Sequence, residues 1–213
     1  MLAEVPSATL LGVEGHRVLV EVHVGQGLPG FTVVGLPDAS CREARDRVRA
    51  AVLSSKLKWP DTRITVNLAP THVRKVGSGL DLAIAMALLG ASKQLNPEAL
   101  KGLMFLGELG LNGTLRPILG ILPLVDSLSA GRVVVPAENL AEARLVRPDA
   151  RGVRTLSELV SALRAEEPWP DPPVRESTSG PAEAYCDLAE VQGHPVARRA
   201  LEVAATGGHH VLM

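Results

Sequence analysis

The sequence predicts an α+β fold, in which a mixed sheet and its packed helices close over an aliphatic core. Three observations lead there. Val18, Val20, Val22 and Val24 alternate with Leu19, Glu21 and His23, the two-residue period of a strand. Ala44, Val48, Ala51 and Val52 form one apolar stripe at helical spacing. Hydrophobic residues make up 46% of the 213-residue chain but aromatics only 2%, so the core is built from Val, Leu, Ile and Ala.

The elements follow in order. "TLLGV" and "RVLVEVHV" are strands separated by Gly12, Glu14 and Gly15, so they pair as a hairpin. "GQGLPG" is a loop and "FTVVGL" a third strand. Asp38 or Ser40 caps a helix over Arg42–Ser55. "RITVNLAP" is a strand with Ile64, Val66 and Leu68 on one face. "LDLAIAMALLGAS" is apolar almost all round, which predicts a helix buried on most sides, with Ser78 as its N-cap. "GLMFLGELGLNGTLRPI" reads as two strands joined at Asn112-Gly113, the pair that best tolerates a type I′ turn. "GILPLVDSLSAG" is a helix, "RVVVP" a short central strand and "AENLAEARLV" a helix. Thr155 and Glu158 form a capping box before another helix.

Composition then shifts. Residues 166–181, "EEPWPDPPVRESTSGP", hold five prolines and several charges, as a semi-extended linker does. The expected organisation is a first domain at 1–165, this linker, and a second unit at 182–213. In the second unit Pro195 opens a helix, Gly207 stops it, and His209 to Met213 begin a buried strand.

Several function classes recede on composition. The formal net charge of −1 is unlike that of a chain basic throughout, though it allows a local basic patch. The start lacks a basic region followed by an apolar core, so no signal peptide is read. No apolar run approaches the roughly 20 residues that span a bilayer, and the expectation is a cytoplasmic protein without a membrane partner. Cys41 and Cys186 are read as a reduced pair. His209 and His210 are adjacent, so in a strand they point to opposite faces, and no metal site is expected. "GQGLPG" lacks the spacing of a dinucleotide fingerprint.

Basic residues raise a different question. Arg42, Arg45 and Arg49 fall on one helix face, and His72, Arg74 and Lys75 lie in the glycine-bearing loop "THVRKVGSG". They are candidate nucleic-acid contacts. The competing reading of the helix is a solvated face balanced by Glu43 and Asp46, and it weighs more. Trp59, Phe31, Phe105, Trp169 and Tyr185 are too few to suggest a stacking platform for single strands.

The tail "DLAEVQGHPVARRALEVAATGGHHVLM" resembles the segment just before the Walker A loop in magnesium-chelatase-like AAA+ ATPases of the ComM/YifB branch. "VGLPDASCREARDRVRAAV", "ITVNLAP" and "GSGLDLAIAMALLGAS" resemble the N-terminal module of that family, in the same order. The region from Gly77 to Pro136 is also similar to the proteolytic domain of Lon proteases and its counterpart in RadA. The resemblance implies a Lon-like α+β domain, with which the order of elements is compatible without selecting it. It implies that the chain is an N-terminal fragment of an ATPase, because no G-x-x-x-x-G-K-[ST] occurs in it. It further implies ATP and Mg²⁺ in the full-length protein, a hexameric ring, and DNA as partner in branch migration during uptake and recombination. Carried over, Val191, Gln192 and Gly193 line an adenine.

Lon chemistry needs a serine and a desolvated lysine in contact. The serine position falls on or beside Gly79, with Ser78 next to it, and the lysine position falls on Leu122. A leucine is no base, so no catalytic residue is assigned. A displaced Ser78–Lys75 dyad is the peptidase alternative, and a purely structural assembly module is the other.

Overall fold

In the computed structural model the described residues are 1–128, 131–170 and 187–211. They form two compact units, Met1–Pro173 and Val174–Met213. The fold is mixed α+β.

The first unit opens with β1 (Leu2–Leu11) and β2 (Glu14–Gly25), the expected antiparallel hairpin. β3 (Gly30–Val34) leads into α1 (Ala39–Ser54) and on to β4 (Arg63–Ala69). β4 runs antiparallel to β2 and parallel to β3, giving a mixed sheet of order β1-β2-β4-β3. The period of two decides which face is inside: Val18, Val20, Val22, Ile64, Val66 and Leu68 are all buried. Asp38 is the N-cap of α1, its carboxylate accepting the Cys41 N–H at 2.8 Å, and the predicted stripe Ala44, Val48, Ala51 and Val52 is buried.

α2 (Asp81–Ala91) is buried at every residue, packed on β1, β2 and α1. Its start differs from expectation. Leu80 occupies the N-cap without a side-chain bond, because the Ser78 hydroxyl donates to Glu108 instead. After a short 3₁₀ turn come β5 (Leu103–Phe105), β6 (Glu108–Leu109), β7 (Leu115–Arg116), α3 (Ile121–Asp126) and β8 (Arg132–Pro136). α4 (Leu140–Val146), β9 (Arg151–Val153) and α5 (Leu156–Leu163) complete the unit. "GLMFLGEL" is thus two strands in different sheets. β5 joins β8 and β9 in a parallel sheet of order β5-β8-β9, while β6 pairs with β7.

The β6–β7 turn is also not type I′. That turn needs left-handed backbone at both central residues. Here only Gly113 is left-handed (φ +83°), and it closes a Gly110–Gly113 turn with a 2.9 Å bond. "RVVVP" is central as predicted, and both its faces are covered. Val134 faces the core shared with α2, while Val133 and Val135 join Leu124, Val125 and Leu140 on the other side. The capping box at Thr155 and Glu158 is formed. Trp169 packs against the first unit's core, with the Arg151 guanidinium 6.0 Å from its ring centre.

Within the second unit, α6 (Pro195–Gly207) starts at Pro195 and ends on left-handed Gly208, one residue beyond the expected stop. His209 to Val211 are exposed and not in a strand. A buried parallel strand needs hydrogen-bonding neighbours, and the described part of this unit supplies no strand. Met213, most of the proline-rich segment and Cys186 lie outside the described residues. Among those described, no helix is long and apolar enough to cross a membrane.

Candidate functional site

The Lon-like resemblance directs attention to the loop between β4 and α2, residues 70–80. It is held by its neighbours as well as by its own bonds from Val73 N–H and the Lys75 ammonium to Pro70 O. Asp38 accepts from Gly77 N–H at 3.0 Å as well as from Cys41, so one carboxylate ties the loop to the first turn of α1. Thr9 Oγ1 accepts from Val76 N–H at 3.0 Å, and Asp38 N–H donates to Lys75 O at 3.0 Å. Burial acts to raise the Asp38 pKa, but the Cys41 and Gly77 N–H groups and the Arg74 charge outweigh it, and the carboxyl sits below its usual range. Burial, with Asp38 beside it, pushes the Cys41 thiol up to about 12, so it is not a nucleophile.

Beneath the loop lies a polar node. Arg47 clasps Asp81 through Nε at 2.6 Å and Nη2 at 2.9 Å, and also donates to Ser40 O at 2.9 Å. Leu109 N–H reaches Asp81 at 3.3 Å. Glu108 accepts the Ser78 hydroxyl and lies 3.5 Å from Arg116. Asp81 is 1% exposed, and burial pushes its pKa up to about 6 despite the Arg47 clasp. The same clasp holds Arg47 above its ordinary pKa. Both values rise, which favours the charge on Arg47 and opposes it on Asp81, because the carboxylate loses nearly all its water while Arg47 stays partly exposed.

Sequence reasoning missed this node, and two signals marked it. Arg47 stands three residues after Ala44 and four before Ala51, on the edge of the buried stripe. Asp81 is the lone charge in an otherwise apolar helix, and such a charge requires a partner.

The predicted residues fall out as follows. Arg45, Arg49 and Arg74 are exposed. The Arg42 side chain lies outside what is described. Lys75 is a correction: it is fully buried, its ammonium donating to Pro70 O, and a phosphate backbone does not reach it there. Its burial lowers its pKa. The displaced dyad is not assembled either, because Ser78 bonds Glu108 while Lys75 bonds Pro70. Val191, Gln192 and Gly193 are exposed between a 3₁₀ turn at Leu188–Glu190 and α6. They offer an apolar edge and backbone groups but nothing that grips phosphates, so the residues present do not by themselves fit a nucleotide. Among the described residues, no group of three or more His, Cys, Asp or Glu is placed to hold a metal.

Comparison with known proteins extends this picture. The family model described as subunit ChlI of Mg-chelatase matches residues 20–139. The model described as magnesium chelatase, subunit ChlI, matches residues 187–213. A protein of Mycobacterium tuberculosis is 45% identical over 213 residues, covering 97% of this chain and 42% of the relative. Competence protein ComM of Haemophilus influenzae is 40% identical over 217 residues, covering 99% of this chain and 43% of ComM. YifB of Escherichia coli is 37% identical over 219 residues, covering 100% and 42% respectively. The chain thus spans 42–43% of the length of these relatives.

Proposed function

This chain belongs to the magnesium-chelatase-like ComM/YifB family, and from that premise we propose that it is the front part of an ATP-driven motor acting on DNA. Residues 1–165 form a Lon-like domain without catalysis of its own, serving ring assembly or DNA guidance. The intact protein assembles as a ring, hexameric in this reading, and hydrolyses ATP with Mg²⁺ in the cytoplasm. Its task is branch migration during DNA uptake and recombination, consistent with a relative named as a competence protein. The observation that carries the reading is the succession of two family matches along one chain, at 20–139 and 187–213.

Absence of peptidase chemistry is supported by Leu122 at the lysine position and by the engagement of Ser78 with Glu108. DNA contact falls to Arg45 and Arg49 on the outer face of α1, joined by Arg42 and by Arg74 at the loop.

The test uses the full-length protein and forked DNA. Arg45→Ala, Arg49→Ala and Arg74→Ala together should weaken binding at low salt and reduce the salt dependence by about one counterion per lost contact. An unchanged titration would remove DNA from this domain and leave a structural assembly module. Serine-dependent cleavage of a fluorogenic peptide, lost in Ser78→Ala, would revive the peptidase.

A further inference from the structure

A cavity of about 420 Å³ opens on the side of the first unit away from the loop just described. Its lining includes Lys58, Trp59, Thr62, Ser92, Lys93 and Gln94. Three stretches meet there: the connection from α1 to β4, the end of α2, and the rim formed by Met1 and Val24. We propose that this cavity binds a nucleobase carrying a phosphate, the ring against Trp59 and the phosphate between Lys58 and Lys93.

Five features support the assignment. The lining contains two exposed lysines and no Asp or Glu, so its own charge is positive, with the exposed Asp61 beside it between Pro60 and Thr62. Trp59 is half-buried and fixed from behind by Phe31, with ring centres 5.8 Å apart and planes tilted by 31°. A ring so held meets an incoming base at small entropic cost. The C-terminus of α2 would ordinarily oppose an anion. Three of its carbonyls are occupied, however: Leu88 O, Leu89 O and Gly90 O accept from Ser92, Gln94 and Lys93 N–H groups at 2.9–3.1 Å. The rim is also rigid, since Gln94 bonds both Lys58 N–H at 2.8 Å and Lys58 O at 2.7 Å. Finally, Thr62 Oγ1 is buried in the wall with no hydrogen-bond partner among the described residues. Rotation of that one side chain toward the cavity would give the hydroxyl a base edge or phosphate oxygen to bond.

The chemistry has two sources, a free nucleotide or one unit of a single strand. The cavity is separate from Arg74, though Arg49 stands five residues from the end of α1. Trp59 follows the C-terminal end of α1, whereas Asp38 and Arg74 lie at its N-terminal end, about 24 Å away along a 16-residue helix. The lysine substitutions below leave all of the arginines proposed for DNA in place, so failure at this cavity is distinguishable from failure of the DNA contact.

The experiment follows Trp59 emission in the 213-residue chain carrying Trp169→Phe, which leaves one tryptophan. Probes are adenosine 5′-monophosphate, a thymidine pentanucleotide and inorganic phosphate. Saturable quenching by the mononucleotide, weakened by salt, supports a free-nucleotide site. Quenching by the pentanucleotide alone supports a strand site. Lys58→Glu with Lys93→Glu should weaken either by about tenfold or more, and Lys58→Gln repeats the test with a milder change. The proposal is overturned if neither ring-bearing probe quenches at millimolar concentration. It is equally overturned if inorganic phosphate competes as well as the mononucleotide, or if the charge reversals leave affinity unchanged.

Discussion

α2 and α6 are helices of similar length with opposite surroundings. All 11 residues of α2 are buried. Of the 13 in α6 only Ala204 is, while Val196 is 82% and Val203 52% exposed. α2 carries one charge, and that charge has a clasped partner inside the domain. α6 carries Arg198, Arg199 and Glu202, with Arg199 and Glu202 paired at 3.1 Å on its surface. The difference teaches where stability resides. Each buried Leu, Ile or Met side chain of α2 contributes about 1.5–3 kcal/mol of transfer free energy, whereas an exposed valine contributes little.

The sharpest test of that contrast is truncation. Leu88→Ala should cost about 2–5 kcal/mol in denaturant unfolding, since it leaves a cavity on the most enclosed helix. A cost near that of a surface substitution would show that α2 is not the keystone of the first unit.

A slightly smaller effect comes from the charge in α2. Asp81 has a folded pKa of about 6 against 3.8 when solvated. A carboxyl raised on folding favours the folded state while protonated. Its contribution is therefore complete below pH 3.8 and lost as pH rises through about 6. At 1.36 kcal/mol per pH unit this loss is about 3 kcal/mol. Unfolding free energies of wild type and Asp81→Asn should diverge across that window, with the variant lacking the decline. Parallel curves would mean that the Arg47 clasp, rather than burial, governs the carboxyl.

Next in size, Thr155→Ala removes the capping box of α5, with an expected loss of about 1 kcal/mol by thermal melting. Smallest is Val203→Ala on α6, expected within about 0.5 kcal/mol. A larger loss there would reveal a packed surface on the second unit.

Much of the first unit was legible because local pattern and burial agree. The valines of β2 and the stripe of α1 report their inward faces directly, and Thr155 with Glu158 announces a helix start. The failures share a cause. "GLMFLGEL" is a single apolar run, and its division between two sheets depends on β8, whose Arg132 pairs with Leu103 from far along the chain, and on the still later β9. Ser78 resembled a cap until Glu108 competed for its hydroxyl. Lys75 looked like any loop cation, and nothing adjacent in sequence says that Leu36, Asp38 and Pro70 enclose it. Asp81 and Arg47 stood in view as charges at apolar positions, but 34 residues separate them.

By itself, then, the sequence determined most of the element types, the inward faces and the kinship of both units, because these depend on residue identity at short spacing. Only the tertiary structure decided which polar groups meet. It paired Asp81 with Arg47 and Ser78 with Glu108, withdrew Lys75 from solvent, and gathered Lys58, Trp59 and Lys93 around one cavity. Those outcomes depend on long-range packing, where burial removes water from a charge and leaves it to whichever partner the fold brings near.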